Sequence, residues 1–288
     1  MSFLDLLPYD VKRYEILPKL DDVSLLVLRH CLLGKPFPKV FSSDIQQNII
    51  RNGLSLTIFF WKKLNKKEIC TYAAECGSID ILKYAHNNGC PWDEWTCTSA
   101  VINDSLVCLK YARENGCPWN KETFGFAARG GNISILKYLY QNECPWDKCT
   151  CARAAENGSL VCLKFLHENG CPWDEETCAM AARSGSLPCL RYAHENGCPW
   201  DELVCYKAAR CGFLDILKYA HEHGCPWNEW TCEYAARNGS LDLLKYAKEN
   251  DCPWNEKTCE IASKSHNPDI VRYAIIACND VSCMHHVH

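Results

Sequence analysis

Small and apolar residues in this chain recur in two alternating stretches. The first kind has helical spacing, as in Thr177-Cys178-Ala179-Met180-Ala181-Ala182, and is stopped by a glycine such as Gly185. The second kind follows at once, with apolar residues at 0, +2, +3, +5 and +6, as in Leu160, Cys162, Leu163, Phe165 and Leu166. So broad a stripe predicts a helix covered by neighbours on two sides. Ser78, Ser105, Ser159, Ser186 and Ser240 stand where its N-terminus needs a cap. Another glycine, as at Gly170 or Gly197, closes it, and Cys-Pro-Trp then interrupts the pattern. Proline cannot extend a helix, and a left-handed glycine satisfies the carbonyls at a helix end. Asp or Asn follows the tripeptide at 93, 120, 147, 174, 201, 228 and 255. Its side-chain oxygen can cap the next helix.

The tripeptide begins at Cys90, Cys117, Cys144, Cys171, Cys198, Cys225 and Cys252, a strict period of 27 residues. The same pattern already runs from Glu68 to Gly89 without it, so eight units fall within residues 65–278. A helix–turn–helix pair of this size cannot bury its own stripe and must stack on copies of itself. The expected fold is all-α, a helix-turn-helix solenoid with a small N-terminal helical module. A Trp ladder and a Tyr ladder are expected inside it. Residues 44–64 read as a degenerate capping repeat: Asp44 can cap, Gly53 can stop, and Leu56, Ile58, Phe59 and Trp61 keep the second-helix spacing. Residues 1–43 form the N-terminal module, and residues 279–288 a polar tail.

Composition narrows the chemistry. A net charge of −4 with mixed signs offers no basic stripe for nucleic acid. Apolar runs fall short of the roughly 18 residues of a membrane span, and Met1 to Asp10 lacks the layout of a secretory signal. The chain is expected in the cytoplasm, as a monomer. Its 23 cysteines, an odd count, fall mostly in repeat columns. At one column Cys108, Cys162 and Cys189 exchange with Ile135, Ile216 and Leu243, which marks cysteine as a small buried hydrophobe in a reducing compartment.

A competing reading is a Cys/His-rich array binding zinc in a structural or redox role. His86, Cys90 and Cys97 recur in part as His167, Cys171, Cys178 and as His194, Cys198, Cys205. Against it, Arg113, Tyr140 and Lys248 replace the histidine elsewhere, and no Cys-x2-Cys knuckle occurs. Cys283, His285, His286 and His288 could collect metal adventitiously. The packing reading is preferred, so no metal site and no cofactor is assigned. A phosphate loop and a nucleophile–base pair outside the repeat are both missing, so the chain is read as no enzyme.

The run Ala208-Ala209-Arg210 to Leu217-Lys218-Tyr219, repeated eight times over about three quarters of the chain, resembles the ankyrin repeat. Asn-Gly-Cys-Pro-Trp-Asp stands where that family has His-Gly-Ala-Asp-Val-Asn. A period of 27 against the family's roughly 33 implies that the hairpin finger is shortened or lost. The Cys-Pro-Trp variant looks like the ankyrin arrays of giant DNA viruses. Near the N-terminus, Leu7, Pro8, Val11, Ile16, Leu17, Leu20, Leu25 and Leu28 form a pattern similar to an F-box, which implies docking on the Skp-type adaptor of a cullin ubiquitin ligase. A helical cap over the first repeat is the alternative, compatible reading.

These resemblances imply a non-catalytic protein-binding scaffold whose first-helix faces line a concave surface, and the F-box-like pattern implies that it recruits substrates to a host ligase. The partner-binding candidates vary while the framework stays fixed. One column gives Trp95, Glu122, Glu176, Leu203, Trp230 and Lys257. The other gives Tyr72, Phe126, Arg153, Lys207 and Tyr234.

Overall fold

A computed structural model describes residues 69–87 and 89–284. The F-box-like residues, the 44–64 capping segment and the terminal histidines lie outside these. The described residues form sixteen helices in eight pairs, with no strand among them. None of these helices is long and apolar enough to cross a membrane.

The chain divides into two units at Thr123 and Phe124. The first holds α1 (Ile69–Glu75), α2 (Ile79–Asn87), α3 (Glu94–Ile102) and α4 (Leu106–Glu114). The division falls in the first turn of α5 (Lys121–Gly130). The second unit continues with α6 (Ile133–Gln141), α7 (Cys149–Glu156), α8 (Leu160–Glu168), α9 (Glu175–Ser184) and α10 (Leu187–Glu195). It ends with α11 (Glu202–Cys211), α12 (Leu214–Glu222), α13 (Glu229–Asn238), α14 (Leu241–Glu249), α15 (Glu256–Ser263) and α16 (Pro268–Met284). Within each unit odd helices pack on odd helices, and α8 and α10 show the same arrangement among even ones. The last helix runs on to Met284, into the stretch read from sequence as a tail. In place of the hairpin finger, each connector is the short segment Cys-Pro-Trp-Asx, with neither helix nor strand.

The helix ends follow from the residues there. The backbone N–H groups of Trp95, Leu203 and Trp230 donate to the side-chain oxygens of Asp93, Asp201 and Asn228 at 3.0–3.1 Å. Asp174 departs from this: its carboxylate takes Lys148 Nζ at 2.9 Å and makes no cap bond. Four of the even helices start at a capping serine. The N–H groups of Cys108, Cys162, Cys189 and Leu243 donate to Ser105, Ser159, Ser186 and Ser240 Oγ, each at 3.4 Å. Phe213 replaces one such serine; its ring lies under Gly185, where an added Cβ would meet it at 2.6 Å. Gly185 is also left-handed, at φ 78°, so glycine is required there twice over. Glu143 and Asp251 hold the left-handed position after an even helix, at φ 59° and 60°, where other repeats have glycine.

Thiols fill the core. Cys108, Cys162 and Cys189 are as fully buried as Ile216 and Leu243 in the same column. The connector cysteines reach back one repeat: Cys117, Cys198 and Cys225 Sγ donate to the carbonyls of Asp93, Asp174 and Asp201 at 3.2–3.3 Å. The odd-helix thiols of Cys70 and Cys232 donate to the Cys90 and Cys252 carbonyls at 3.6 and 3.7 Å. Burial pushes the Cys70 thiol up to about 12. The adjoining Cys97 and Cys252 thiols, with burial, hold Cys117 and Cys232 well above the ordinary range. Such groups stay protonated, which makes them poor nucleophiles and poor metal ligands. Cys259 alone leaves the packing role its column predicts. It forms a disulfide with Cys278 that joins α15 to α16.

Candidate partner-binding surface

The variable columns fall on the odd helices. In the first unit Tyr72 on α1 and Trp95 on α3 are 54% and 55% exposed, unusual for aromatic side chains in so regular a frame. Glu122 opens α5 half-buried, its backbone N–H on Asn120 Oδ1 at 3.0 Å.

In the second unit several candidates meet across adjacent repeats. The Arg153 guanidinium lies 5.8 Å from the centre of the Phe126 ring. Glu176 Oε1 and Lys207 Nζ are 3.4 Å apart. Lys257 Nζ lies 2.7 Å from Glu233 Oε2, and the Glu233 side chain is only 3% exposed. These charges are spent within the frame. Leu203 is half-buried on α11, whereas Trp230 on α13 stands 48% exposed.

Trp230 belongs to a cluster the sequence reading missed. Tyr206 meets Trp230 edge-on at 6.5 Å, planes 65° apart, and Tyr234 at 4.8 Å, planes nearly perpendicular. The Arg210 and Arg237 guanidiniums lie 5.9 and 5.2 Å from the Tyr234 ring centre. An Arg210 N–H donates to the Tyr206 hydroxyl at 3.2 Å. The available signal was Tyr206 itself, which follows five small residues in its column, Thr71, Thr98, Gly125, Ala152 and Ala179, and precedes Glu233 and Glu260.

The histidines that suggested zinc are occupied otherwise. His86, His167, His194 and His221 each stack on the following connector tryptophan, ring centroids 3.8–4.0 Å apart. In three of them Nδ1 also bonds the tyrosine hydroxyl 25 residues on, at 2.9–3.1 Å. His194 differs. His223 crowds it at 5.8 Å, and the Tyr219 hydroxyl is left buried without a partner. Burial first, then the His223 charge, holds His194 below the ordinary histidine value. Arg113 and Lys248 replace the stack with a cation over Trp119 and Trp254, and Tyr140 with a ring on Trp146. Among the described residues no group of three or more His, Cys, Asp or Glu side chains is placed to hold a metal ion.

No protein-family model matches the chain, and a search of curated proteins likewise gave no match. Solved structures do match. The human ASB11 ankyrin repeat domain aligns with a TM-score of 0.51 and 17% identity, over 62% of this chain and 96% of that one. With its eight helix pairs, its glycine stops and its missing strands, the described part of the chain is an all-helical array with the ankyrin-repeat fold.

Proposed function

We propose that the chain is a non-catalytic scaffold that binds a partner protein through the exposed faces of its odd helices. One observation supports this above the rest. Tyr72, Trp95 and Trp230 stand about half exposed at variable positions, while the framework positions beside them are buried. Exposed tryptophan and tyrosine are the residues that most often anchor protein interfaces. The test is photo-crosslinking from positions 95 and 230, with affinity capture by the intact chain and by Trp95→Ala and Trp230→Ala. Loss of captured proteins in either variant supports the reading. An unchanged protein set in both variants, with no crosslinks, refutes it.

Residues 1–43 are proposed to dock the Skp-type adaptor of a cullin ligase, on the strength of the F-box-like pattern from Leu7 to Leu28. Purified adaptor should then be retained by the intact chain and released on deletion of residues 1–40. A segment that only caps the array would retain none. The likeness of the Cys-Pro-Trp units to viral arrays makes a host cytoplasmic protein the partner to seek.

A further inference from the structure

We infer that the surface formed by Tyr206, Trp230, Tyr234, Arg210 and Arg237 docks an acidic segment of the partner protein. This rests on the scaffold reading and names the chemistry of what it binds. Tyr206, edge-on to both Trp230 and Tyr234, first suggests a cage for a methylated ammonium ion. The two guanidiniums over Tyr234 exclude that, because a third cation would meet like charge at the ring face. What the cluster presents outward is positive charge beside an exposed indole.

The charge is uncompensated. Arg129, Arg183, Arg210 and Arg237 occupy one repeat column. Glu156 neutralises the first two, at 3.5 and 3.3 Å. Neither Arg210 nor Arg237 has a carboxylate partner among the described residues, and both are exposed. A guanidinium stacked on a ring keeps its N–H edge available for bidentate binding of a carboxylate. Arg237 also lines a groove of about 660 Å³ with Asn238, Lys264, His266 and Asn267, whose walls carry no acidic side chain. Lys264 contributes less, since Glu260 pairs with it. An extended acidic segment can thus rest an apolar side chain on Trp230 and run its carboxylates past Arg210 and Arg237 toward the groove. Single-stranded nucleic acid would also stack on Trp230, but two arginines on a chain of net charge −4 make a poor phosphate track.

Panning a random peptide library on the intact chain tests this. Enriched peptides should combine Asp or Glu clusters with an apolar or aromatic residue. The Kd of the best synthetic peptide should rise about tenfold in the Arg210→Gln/Arg237→Gln double variant. Arg129→Gln, whose guanidinium already faces Glu156, should leave it unchanged. Both altered residues are exposed, so the circular dichroism spectrum should match the parent's. Peptides without acidic bias, binding that survives the double variant, or displacement by a thymidine oligonucleotide would each overturn the inference. Peptides that depend on Trp95 and not on the arginines would sink it while leaving the scaffold reading intact. Failure to enrich any peptide sinks it too, and the crosslinking above then decides the scaffold reading separately.

Discussion

The imidazole of His167 lies flat on the indole of Trp173, centroids 3.8 Å apart and planes 13° from parallel. Its Nδ1 simultaneously bonds the Tyr192 hydroxyl at 2.9 Å, so one side chain ties a helix to its own connector and to the next repeat. A ligand-like spacing of His and Cys is here the spacing of a stack.

His167→Ala should therefore cost roughly 1–2 kcal/mol, from a lost stack and a lost hydrogen bond. His167→Arg should cost far less, since Arg113 already fills the place over Trp119 at 4.3 Å. Chemical denaturation reads both. Added zinc or a chelator should leave the parent's midpoint where it was; stoichiometric zinc that is lost together with folding would overturn the stacking role.

Glu143 holds a left-handed φ of 59° where five other repeats have glycine. The equivalent Gly116 and Gly170 have nothing within 4 Å of an added Cβ, so side-chain packing does not compensate the strain. Glu143→Gly should stabilise by about 1 kcal/mol. A lowered thermal midpoint would contradict this.

Thr177 Oγ1 is buried without a hydrogen-bond partner, and Val204 stands at the same place one repeat on. Thr177→Val should raise stability by about 1 kcal/mol. Thr150→Val should lower it, because Thr150 Oγ1 accepts the Asp147 N–H at 3.3 Å. Opposite shifts in midpoint are the expected result.

Acid should weaken the fold at His194. Its pKa is held down in the folded chain, so the unfolded chain binds the proton first. The stability it contributes is complete above the ordinary histidine pKa of about 6.5 and is lost as pH falls through the lowered value. His223→Asn removes the neighbouring imidazole charge that adds to the effect of burial, and should shrink that acid loss. Asparagine at this column keeps the bond His223 makes to the Tyr219 carbonyl, as Asn196 does to Tyr192 at 2.8 Å. Thermal melts on both sides of that pH, for parent and variant, measure the difference.

Among the described residues, thiol reagents should label native Cys76, Cys149 and Cys211, the exposed free cysteines. Cys117, Cys178 and Cys225 should react only on unfolding, being buried and held protonated. Rapid labelling of Cys117 in the folded chain would refute the packing role.

The helix pairs were legible because their signals are local. A capping Asx, a glycine stop and a serine cap each act within a few residues, and the structure places them at Asp93, Gly185 and Ser186 as the pattern implies. The columns were legible too, but not what each faces. Lys164 belongs over Tyr192, 28 residues away, and no spacing within one repeat reveals that. Exceptions were hidden for the same reason. Asp174 gives up its cap because Lys148 of the preceding connector reaches it, and Cys259 finds Cys278 on another helix. The Tyr206 cluster went unseen because it joins neighbours on α11 and α13 that only stacking brings together.

The connector thiols carry one more implication. Cys117, Cys171, Cys198, Cys225 and Cys252 each reach the carbonyl of the preceding connector, 24 residues back. The thiol bonds from odd helix to connector span 20, and the His–Tyr bonds between even helices span 25. Every such link is completed by an immediate neighbour. A gene segment encoding one whole repeat can thus be duplicated or lost with each remaining thiol still meeting a carbonyl, while a single-residue slip would strand them all. The array can change length by counting in units, and so change how much partner it spans without inventing a new joint.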